Sequence, residues 1–310
     1  MSFNFDQWQK IQSIQSLWSG YGEIARYQSE LNEQTIIVKE INLTQSEKHP
    51  RGWNTDISHQ RKLSSYANEI CFYREFAHLT NSLCKVPAYI HSQQSQERLF
   101  LIMQDLDALG FTKRHADGNL QKAKQGLTWL ANFHATFMLM DAPQLWPIGT
   151  YWHLKTRPDE WQAMPIGELK DKAKDIDQML NSARFQTLVH GDAKLANFCF
   201  HNNEDKIAAV DFQYVGKGTP VKDVAYFIGS CFFADHLDDY ADELYEYYLE
   251  KLSEALSPRF SPSEIQAILE ECQALYCYAW ADFERFLQGW SPGHKKLSSY
   301  SAKLTFQALR

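Results

Sequence analysis

The segment 188–213 constrains the fold of this 310-residue chain more than any other part of the sequence. It reads as a strand and a tight turn that carries Asp192, then four residues, Asn197, and a pair of short strands that ends at Asp211. This spacing predicts that two carboxylates and an amide lie together at the ends of adjacent strands. A carboxylate can accept a hydroxyl proton, and amide and carboxylate oxygens are hard ligands that suit Mg²⁺. The pattern therefore indicates phosphoryl transfer from ATP, with Asp192 as the base and Asn197 and Asp211 as magnesium ligands.

A structural hairpin without chemistry is the alternative interpretation of this segment. The segment combines His190, Gly191, Asp192, Asn197 and Asp211 at the spacing that such a site needs, and strands are predicted on both sides of its two turns. This combination argues against a coincidence. His190, which precedes the glycine of the turn, is predicted to brace the turn rather than to transfer a proton.

Composition excludes several other classes of protein. Hydrophobic residues make up 44% and charged residues 22% of the chain, as in ordinary globular proteins, and the net charge is −7. The sequence has no basic run of the kind that binds nucleic acid, no window near the roughly 20 apolar residues of a membrane span, and no signal-peptide pattern at the N-terminus. We therefore expect a cytoplasmic protein with no nucleic-acid or membrane partner. The six cysteines lack zinc or CxxC spacing, so reduced, buried thiols are favoured over disulfides or a metal cluster.

The pattern of apolar residues changes about a third of the way along the chain. The first part is predicted to hold a helix at 8–18, a hairpin at 20–43, a polar loop at 45–60, a helix at 61–79 and strands at 86–91 and 98–103. The second part is predicted to be mainly helical around the strands of 186–213, with helices at 121–140, 222–234, 238–256, 262–289 and 295–309. This change favours an α+β protein with two lobes that join near residues 103–108.

Two further features of the first part suit a bound nucleotide. Gly20 and Gly22 lie at the turn into the hairpin, where glycines let backbone N–H groups approach a phosphate, although a plain turn is the simpler interpretation. Lys39 ends an apolar strand and can reach phosphates if a carboxylate, such as Glu69 on the next helix, orients it. Each residue alone is better explained as surface charge. The pair gains weight because the residues of segment 188–213 follow in the expected order.

Several segments carry a resemblance to a known family. The chain resembles the aminoglycoside phosphotransferase and choline kinase group, and within it the ecdysteroid-kinase-like branch, including its bacterial members. The matching segments span residues 20–230 and are Glu69–Tyr73, Leu101–Leu106, 190–197, Asp211–Gln213 and Lys222–Phe227. Segments 145–152 and 282–294 are also similar to the bacterial members.

The resemblance implies a protein-kinase-like fold, with a β-rich N-lobe at 1–103 and a larger, mainly helical C-lobe at 104–310. It implies ATP and Mg²⁺ as cofactors. It assigns phosphate binding to Lys39 paired with Glu69, and adenine binding to the backbone of a hinge at 103–106, which includes Gln104, Asp105 and Leu106. It further assigns proton acceptance to Asp192, Mg²⁺ binding to Asn197 and Asp211, and bracing of the catalytic turn to Asp223.

The sequence departs from the family pattern at three places. The glycine loop is one glycine short, and the interval from Lys39 to Glu69 is long, which makes that pairing less secure. Gln213 stands where the metal motif usually has glycine, which removes a hinge residue.

The acceptor is the least constrained part of the prediction. Segment 231–290 is rich in acidic and aromatic residues, which would suit a cationic acceptor through Asp282, Glu284, Trp280 and Trp290. A helical bundle with an aromatic core and a solvated acidic face is the favoured alternative. The loop at 44–62 could be a basic lid over the site or an exposed insertion, and His134 is expected to be a hydrogen-bonded core histidine.

The sequence thus predicts an ATP- and Mg²⁺-dependent kinase of a small-molecule hydroxyl group. Choline-like, aminoglycoside-like and sterol-like alcohols and sugars all remain open as acceptors. A non-catalytic module that binds a nucleotide or another ligand is the main alternative. A protein kinase is disfavoured because few residues separate Asp211 from the helix of Asp223, which leaves little room to dock a peptide.

Overall fold

A computed structural model describes residues 3–17, 20–44, 56–115, 118–203, 205–232 and 234–310. Residues 45–55, which form most of the predicted polar loop and lid, lie outside the described residues.

The first part of the chain forms a five-stranded antiparallel sheet in the order β1-β2-β3-β5-β4. Its strands are β1 (Trp8–Ser16), β2 (Gly22–Ser29), β3 (Thr35–Asn42), β4 (Tyr89–Gln94) and β5 (Arg98–Gln104). The predicted hairpin at 20–43 is confirmed, since β2 and β3 pair from Gly22 opposite Ile41 to Gln28 opposite Thr35.

The helix predicted at 8–18 is wrong, because strand β1 occupies this segment and pairs with β2 along the sheet edge. Two register shifts, between Lys10 and Gln12 and between Ser13 and Gln15, leave Ile11 and Ile14 without paired residues. Each extra residue of a bulge changes the spacing of residues on one face from two to three. The apolar residues at 8, 11 and 14 therefore imitate a helical period in an edge strand.

Helix α1 (Asp56–Glu75) packs beneath the sheet. It begins earlier than the helix predicted at 61–79 and ends at Glu75, after which Ala77–Leu79 form a 3₁₀ turn. Tyr66, Ile70 and Tyr73 repeat at helical spacing and are buried, as the apolar pattern predicted.

The second part of the chain is mainly helical, as predicted. Its helices are α2 (Leu120–Phe137), α3 (Pro158–Ala163), α4 (Glu168–Asp171), α5 (Ala173–Asn181), α6 (Val221–Cys231), α7 (Ala234–Leu256), α8 (Pro262–Trp290) and α9 (Ser299–Ala308). Four short strands form the pairs β6 (Thr187–Val189) with β9 (Gly216–Gly218), and β7 (Phe198–Phe200) with β8 (Ile207–Ala209). The pattern analysis did not identify α3, α4, α5 or β9, which are each shorter than ten residues and have too few turns for a clear period.

An aromatic cluster joins the two parts next to the predicted metal motif. Phe212 stacks on Phe72 of α1 with ring centres 4.1 Å apart, and it lies 4.5 Å from the ring of His190. Phe133 and Trp129 of α2 pack around the same ring. This packing fixes the turns that carry Asp192 and Asp211 against helices from both parts of the chain.

The fold is the expected α+β class, although the division at residue 103 stays a prediction. All six cysteines are free thiols, of which four are buried and two, Cys71 and Cys277, are partly exposed. In the described part of the chain, every helix is too short or too polar to cross a lipid bilayer.

Candidate active site

The turn that carries Asp192 is built by glycine and braced by a buried carboxylate. Gly191 has a φ of +80°, and a Cβ at this position would lie 2.1 Å from the carbonyl oxygen of Tyr214, so only glycine fits. Asp223, at the start of α6, accepts hydrogen bonds from the backbone N–H groups of His190 (2.5 Å) and Gly191 (3.0 Å). The structure thus places Asp223 where the resemblance expected a brace.

His134 completes this brace from helix α2. It is fully buried, with its Nε2 3.1 Å from Asp223 and its Nδ1 2.8 Å from the hydroxyl group of Tyr248. The expectation of a hydrogen-bonded core histidine is confirmed.

Three donors hold the carboxylate of Asp192. The hydroxyl group of Tyr226 donates to Oδ1 at 2.9 Å, while Lys194 at 2.9 Å and the amide of Asn197 at 3.1 Å donate to Oδ2. Burial opposes the charge of Lys194, but Asp192 and Asp211 together raise the pKa of its ammonium group. Sequence reasoning missed both Lys194 and Tyr226. The position of Lys194, two residues after Asp192 in the same turn, was a usable signal.

Asn197 and Asp211 lie side by side. The amide nitrogen of Asn197 donates to the backbone and side chain of Asp192, so its Oδ1 is left as a ligand atom. Its carbonyl oxygen accepts a hydrogen bond from the N–H of Val210, which brings Asp211 next to it. These hard oxygen atoms fit Mg²⁺, which is usually held by one or two protein oxygens together with substrate phosphates. In the described residues, no group of three or more His, Cys, Asp or Glu could hold a metal by itself.

Asp211 has a left-handed backbone conformation, and its carboxylate lies among several cations. Its φ is +71°, outside the regions that L-residues usually adopt. Burial opposes its charge, yet Lys39, Lys194 and Lys62 together lower its pKa to about 2. Asp211 is therefore an anion at neutral pH before any metal binds.

Gln213 fixes this turn rather than loosening it. Its amide donates to Oδ1 of Asp211 at 2.6 Å, and its Oε1 accepts hydrogen bonds from Lys62 (3.0 Å) and Ser65 (3.2 Å) of helix α1. Asn68, one turn further along α1, donates to the backbone carbonyls of the same turn. Gln213, at the position where the family motif usually has glycine, thus links α1 to the metal motif instead of providing a hinge.

Lys39 and Glu69 meet in a buried ion pair with 2.7 Å between Nζ and Oε2. The long sequence interval does not prevent this contact, because α1 brings Glu69 beneath the centre of the sheet. Lys39 also lies 3.6 Å from Oδ1 of Asp211. Although burial opposes its charge, these two carboxylates raise the pKa of Lys39.

The turn before β2 has a backbone geometry that only glycine adopts readily. Gly20 and Gly22 have φ values of +72° and +143°, and a Cβ on Gly22 would lie 2.0 Å from the carbonyl oxygen of Glu40. The turn is closed by a 2.7 Å hydrogen bond from the N–H of Leu17 to the carbonyl of Gly22. Residues 18 and 19 lie outside the described residues, so phosphate binding by this turn stays a prediction.

The predicted hinge follows the end of β5. The carboxylate of Asp105 accepts a 2.6 Å hydrogen bond from Nε of Arg26, and both Asp105 and Leu106 are buried. The N–H of Gln104 donates to the carbonyl of Ala88 at 2.9 Å. The side chains of Asp105 and Leu106 thus contact other parts of the protein, so an adenine contact here would have to come from the backbone, as expected.

The residues proposed for a cationic acceptor have internal partners. Asp282 is buried, paired with Arg285 at 2.8 Å and with the indole N–H of Trp152 at 3.0 Å. Glu284 accepts hydrogen bonds from Gln288 and Thr305, and Trp280 packs in the core against tyrosines. Trp290 stacks on Phe286 at 5.7 Å. The structure therefore favours the alternative of a helical bundle with an aromatic core.

The expectation of a loop at 44–62 needs a correction, because residues from 56 onward belong to helix α1. His59 contacts the hydroxyl group of Tyr21 at 2.6 Å, and Arg61 donates to the carbonyl of Thr156 at 2.6 Å. Arg61 thus links α1 to the second part of the chain, whereas His59 contacts the first part. The rest of the proposed lid lies outside the described residues.

Comparison with known proteins identifies the family. The model of the ecdysteroid kinase-like family matches residues 23–145 and 155–258, which is more than half of the chain. The chain belongs to this family. No curated protein matches its sequence.

The fold of this ecdysteroid kinase-like chain is also found in solved structures. A Plasmodium vivax ethanolamine kinase is 10% identical, with a TM-score of 0.52 over 98% of this chain and 82% of that one. An aminoglycoside-3'-phosphotransferase of type VIII is 11% identical, with a TM-score of 0.49 over 87% of this chain and 94% of that one. A microcompartment-associated aminopropanol kinase is 17% identical, with a TM-score of 0.49 over 92% and 86%. At this identity, the ethanolamine kinase likeness demonstrates a shared kinase-like fold and confirms the expected fold class.

Proposed function

We propose that the chain is an ATP- and Mg²⁺-dependent phosphotransferase that acts on a hydroxyl group of a small molecule. The observation that carries this proposal is the convergence of Asp192, Asn197 and Asp211, with the Lys39–Glu69 pair beside them. Membership of the ecdysteroid kinase-like family supports a kinase activity.

Asp192 is the proposed base. A carboxylate has about four lone-pair sites, and three of those of Asp192 accept hydrogen bonds from Tyr226, Lys194 and Asn197. One site is left for the acceptor hydroxyl group. The three donors orient the carboxylate, and positioning is the main contribution that a phosphotransferase makes to the rate.

The nucleotide phosphates are assigned to the side of the site that faces the sheet. Asn197 Oδ1 and Asp211 Oδ2 would hold Mg²⁺, which when bound neutralises the charge of the phosphates. Lys39 is oriented by Glu69 and points to the same place as Asp211, where it would bind phosphate oxygens. Lys194 lies between Asp192 and Asp211 and would contact the transferring phosphoryl group.

A non-catalytic module that binds a nucleotide is the alternative function. The presence of Asp192 argues against it, because a protein that only binds a nucleotide needs Lys39, Asn197 and Asp211 but has no use for a base held by three donors. Peptide substrates are disfavoured as well. Residues 212–220 connect Asp211 directly to α6 and include strand β9, which pairs with β6, so little of this segment is left to dock a peptide. The free cysteines support a reducing, cytoplasmic setting.

The proposal is tested by measuring ADP and phosphorylated product with Mg²⁺, ATP and a panel of acceptors. The panel holds choline-like, aminoglycoside-like and sterol-like alcohols, sugars, hydroxy acids and a set of serine, threonine and tyrosine peptides. We expect a phosphorylated small molecule with the wild-type chain and none with Asp192→Asn. Tight Mg²⁺-ATP binding without a product from any acceptor would favour the non-catalytic module.

A further inference from the structure

Lys296 lies over the ring of a tyrosine that contacts the proposed base. It belongs to the segment between α8 and α9, and its ammonium group lies 4.1 Å from the ring centre of Tyr226 and 5.6 Å from that of Phe283. The hydroxyl group of the same Tyr226 donates to Asp192. One tyrosine therefore separates the Lys296 ammonium group from the carboxylate that would receive the acceptor proton.

Lys296 has no acidic side chain within ion-pair distance among the described residues. Burial is the largest influence on it and lowers the pKa of its ammonium group to about 8, although Asp192 favours the charged form. At neutral pH the chain thus keeps a partly desolvated cation in contact with aromatic rings. An anion that binds to such a cation therefore stabilises its charged form.

Arg157 brings a second cation to the same group of aromatic rings. Its guanidinium group lies 5.7 Å from the ring centre of Tyr151 and 5.3 Å from that of Phe286. Tyr151 in turn packs edge to face on Tyr226 at 5.6 Å, and its N–H donates to the carbonyl of Gly191. Tyr151 and Tyr226 therefore form a wall beside the catalytic turn, with Lys296 and Arg157 over their rings.

Arg61 adds positive charge next to Arg157. It donates to the carbonyl of Thr156, and the described residues place no carboxylate within ion-pair distance of it, whereas Arg157 is neutralised by Glu160 at 3.0 Å. Burial, and then the charge of Arg157, lower the pKa of Arg61. The charge of Glu160 offsets part of this effect on Arg61, and Arg61 keeps no carboxylate of its own.

We propose that the acceptor alcohol carries an anionic group, a carboxylate or a phosphate, which binds Lys296 while its carbon skeleton packs on the partly exposed ring of Tyr151. This inference rests on the proposed function and names the substrate class of the same site. It differs from the cationic acceptor that the acidic composition of segment 231–290 had indicated. The acidic residues named there are paired internally, whereas Lys296 and Arg61 lack acidic partners.

The nucleotide phosphates do not account for Lys296. Lys39, Lys62 and Lys194 are the cations that influence Asp211, and they lie on the side of the metal motif. Lys296 instead reaches Asp192 from the α8–α9 segment, through Tyr226. An anion beside Lys296 would also reduce its repulsion from Lys194.

The test uses four alcohols that share one aromatic skeleton and differ in charge. The anions are para-(hydroxymethyl)benzoate and para-(hydroxymethyl)phenyl phosphate, the neutral probe is para-(hydroxymethyl)benzamide, and the cation is para-(hydroxymethyl)benzylamine. Their binding to the wild-type chain with Mg²⁺ and a non-hydrolysable ATP analogue is measured by calorimetry. We expect at least one anion to bind about tenfold more tightly than the amide and the amine. The two anions tell a carboxylate from a phosphate.

The same titrations are repeated with Lys296→Met and with Lys295→Met, which removes a charge at the neighbouring exposed position. We expect Lys296→Met to abolish the preference for the anion and Lys295→Met to keep it. Equal binding of the four probes, including no measurable binding, overturns the inference. A Lys296→Met variant that loses affinity for the ATP analogue instead also overturns it, since Lys296 would then serve the nucleotide.

Failure of this inference is distinct from failure of the proposed function. The charge preference is read from binding alone, with no phosphoryl transfer. A chain that phosphorylates only neutral or cationic alcohols contradicts the anionic acceptor and keeps the kinase. A chain that prefers anions but transfers no phosphoryl group contradicts the kinase and keeps the anion site.

Discussion

The ammonium group of Lys39 lies 2.7 Å from the carboxylate of Glu69, thirty positions further along the chain, and both side chains are 2% exposed. A buried pair of this kind costs desolvation energy that the attraction between its charges must offset. The pair therefore couples the central strand β3 to helix α1, and through Lys39 it couples both to Asp211.

Removing one partner of this pair should destabilise the fold. Lys39→Met leaves the carboxylate of Glu69 buried without a cation, and we expect a loss of about 3–5 kcal/mol in the free energy of unfolding. Urea denaturation measures this loss. Adding Glu69→Gln should recover part of it, because the unpaired charge disappears.

The exposed pair of Arg98 and Glu40 provides the matched control. Arg98→Met should change the free energy of unfolding by less than about 1 kcal/mol. If Lys39→Met costs no more than Arg98→Met, the buried pair does not have the structural role assigned to it.

Asp223→Asn should damage the catalytic turn more than nucleotide binding. The amide can accept only one of the two N–H bonds from His190 and Gly191, and the donor left without a partner costs about 1–3 kcal/mol. A shift of Asp192 by about 1 Å can lower kcat by about 10²-fold. Product formation and Mg²⁺-ATP calorimetry, measured on the same preparation, separate the two effects.

Asp242→Asn is a suitable comparison for Asp223→Asn, since Asp242 accepts a 2.6 Å hydrogen bond from Tyr300 at a distance from the site. It should leave kcat near the wild-type value. Equal kcat losses in the two variants would argue that Asp223 acts through stability alone.

Gln213→Ala should weaken the response to Mg²⁺. The variant loses the bond that holds Asp211 and the link to Lys62 of α1. Groups that orient a metal ligand typically contribute about 10- to 100-fold to metal affinity or activity, so we expect half-maximal activity at a correspondingly higher Mg²⁺ concentration. A Mg²⁺ dependence like that of the wild type would assign Gln213 to packing rather than to positioning Asp211.

Affinity for an anionic acceptor should fall as the pH rises through about 8. Burial lowers the pKa of Lys296 to about 8, below its ordinary value of 10.5, so it loses its proton and its attraction for an anion above this pH. Cys231 and Tyr226 keep their protons there, because burial raises the pKa of Cys231 to about 12 and that of Tyr226 well above its ordinary value. Lys194 also stays charged, since Asp192 and Asp211 raise its pKa despite burial.

The charged groups around Lys296 are thus Asp192, Lys194 and Lys295, with Cys231 and Tyr226 neutral. Lys296→Arg should remove the loss above pH 8, because arginine stays protonated. Calorimetry of para-(hydroxymethyl)benzoate on both sides of pH 8 checks this. A loss of affinity that is unchanged in Lys296→Arg would assign it to another group.

The nucleotide side of the site could be predicted from the sequence, and the acceptor side could not. Asp192, Asn197 and Asp211 lie within one short segment, so their spacing alone predicts their proximity. Lys296 reaches Asp192 only because α6 and the α8–α9 segment pack together. A contact between distant segments leaves no periodic pattern in the sequence. The acidic composition of 231–290 pointed to the opposite charge, because composition does not reveal that Asp282 is paired internally.

Among the strands, β1 was missed for an equally physical reason. Its two bulges replace the period of two with a period of three, and nothing in the sequence distinguishes that pattern from a short helix.

The most direct test compares Asp192→Asn with Asp211→Ala for Mg²⁺-ATP binding by calorimetry and for phosphoryl transfer to an acceptor found in the panel. We predict that Asp192→Asn binds Mg²⁺-ATP like the wild type and loses about 10²- to 10⁴-fold in transfer, the usual contribution of a general base. Asp211→Ala should instead lose Mg²⁺-ATP affinity. Transfer by Asp192→Asn at the wild-type rate, or unchanged Mg²⁺-ATP binding by Asp211→Ala, would contradict the assignment of these two carboxylates.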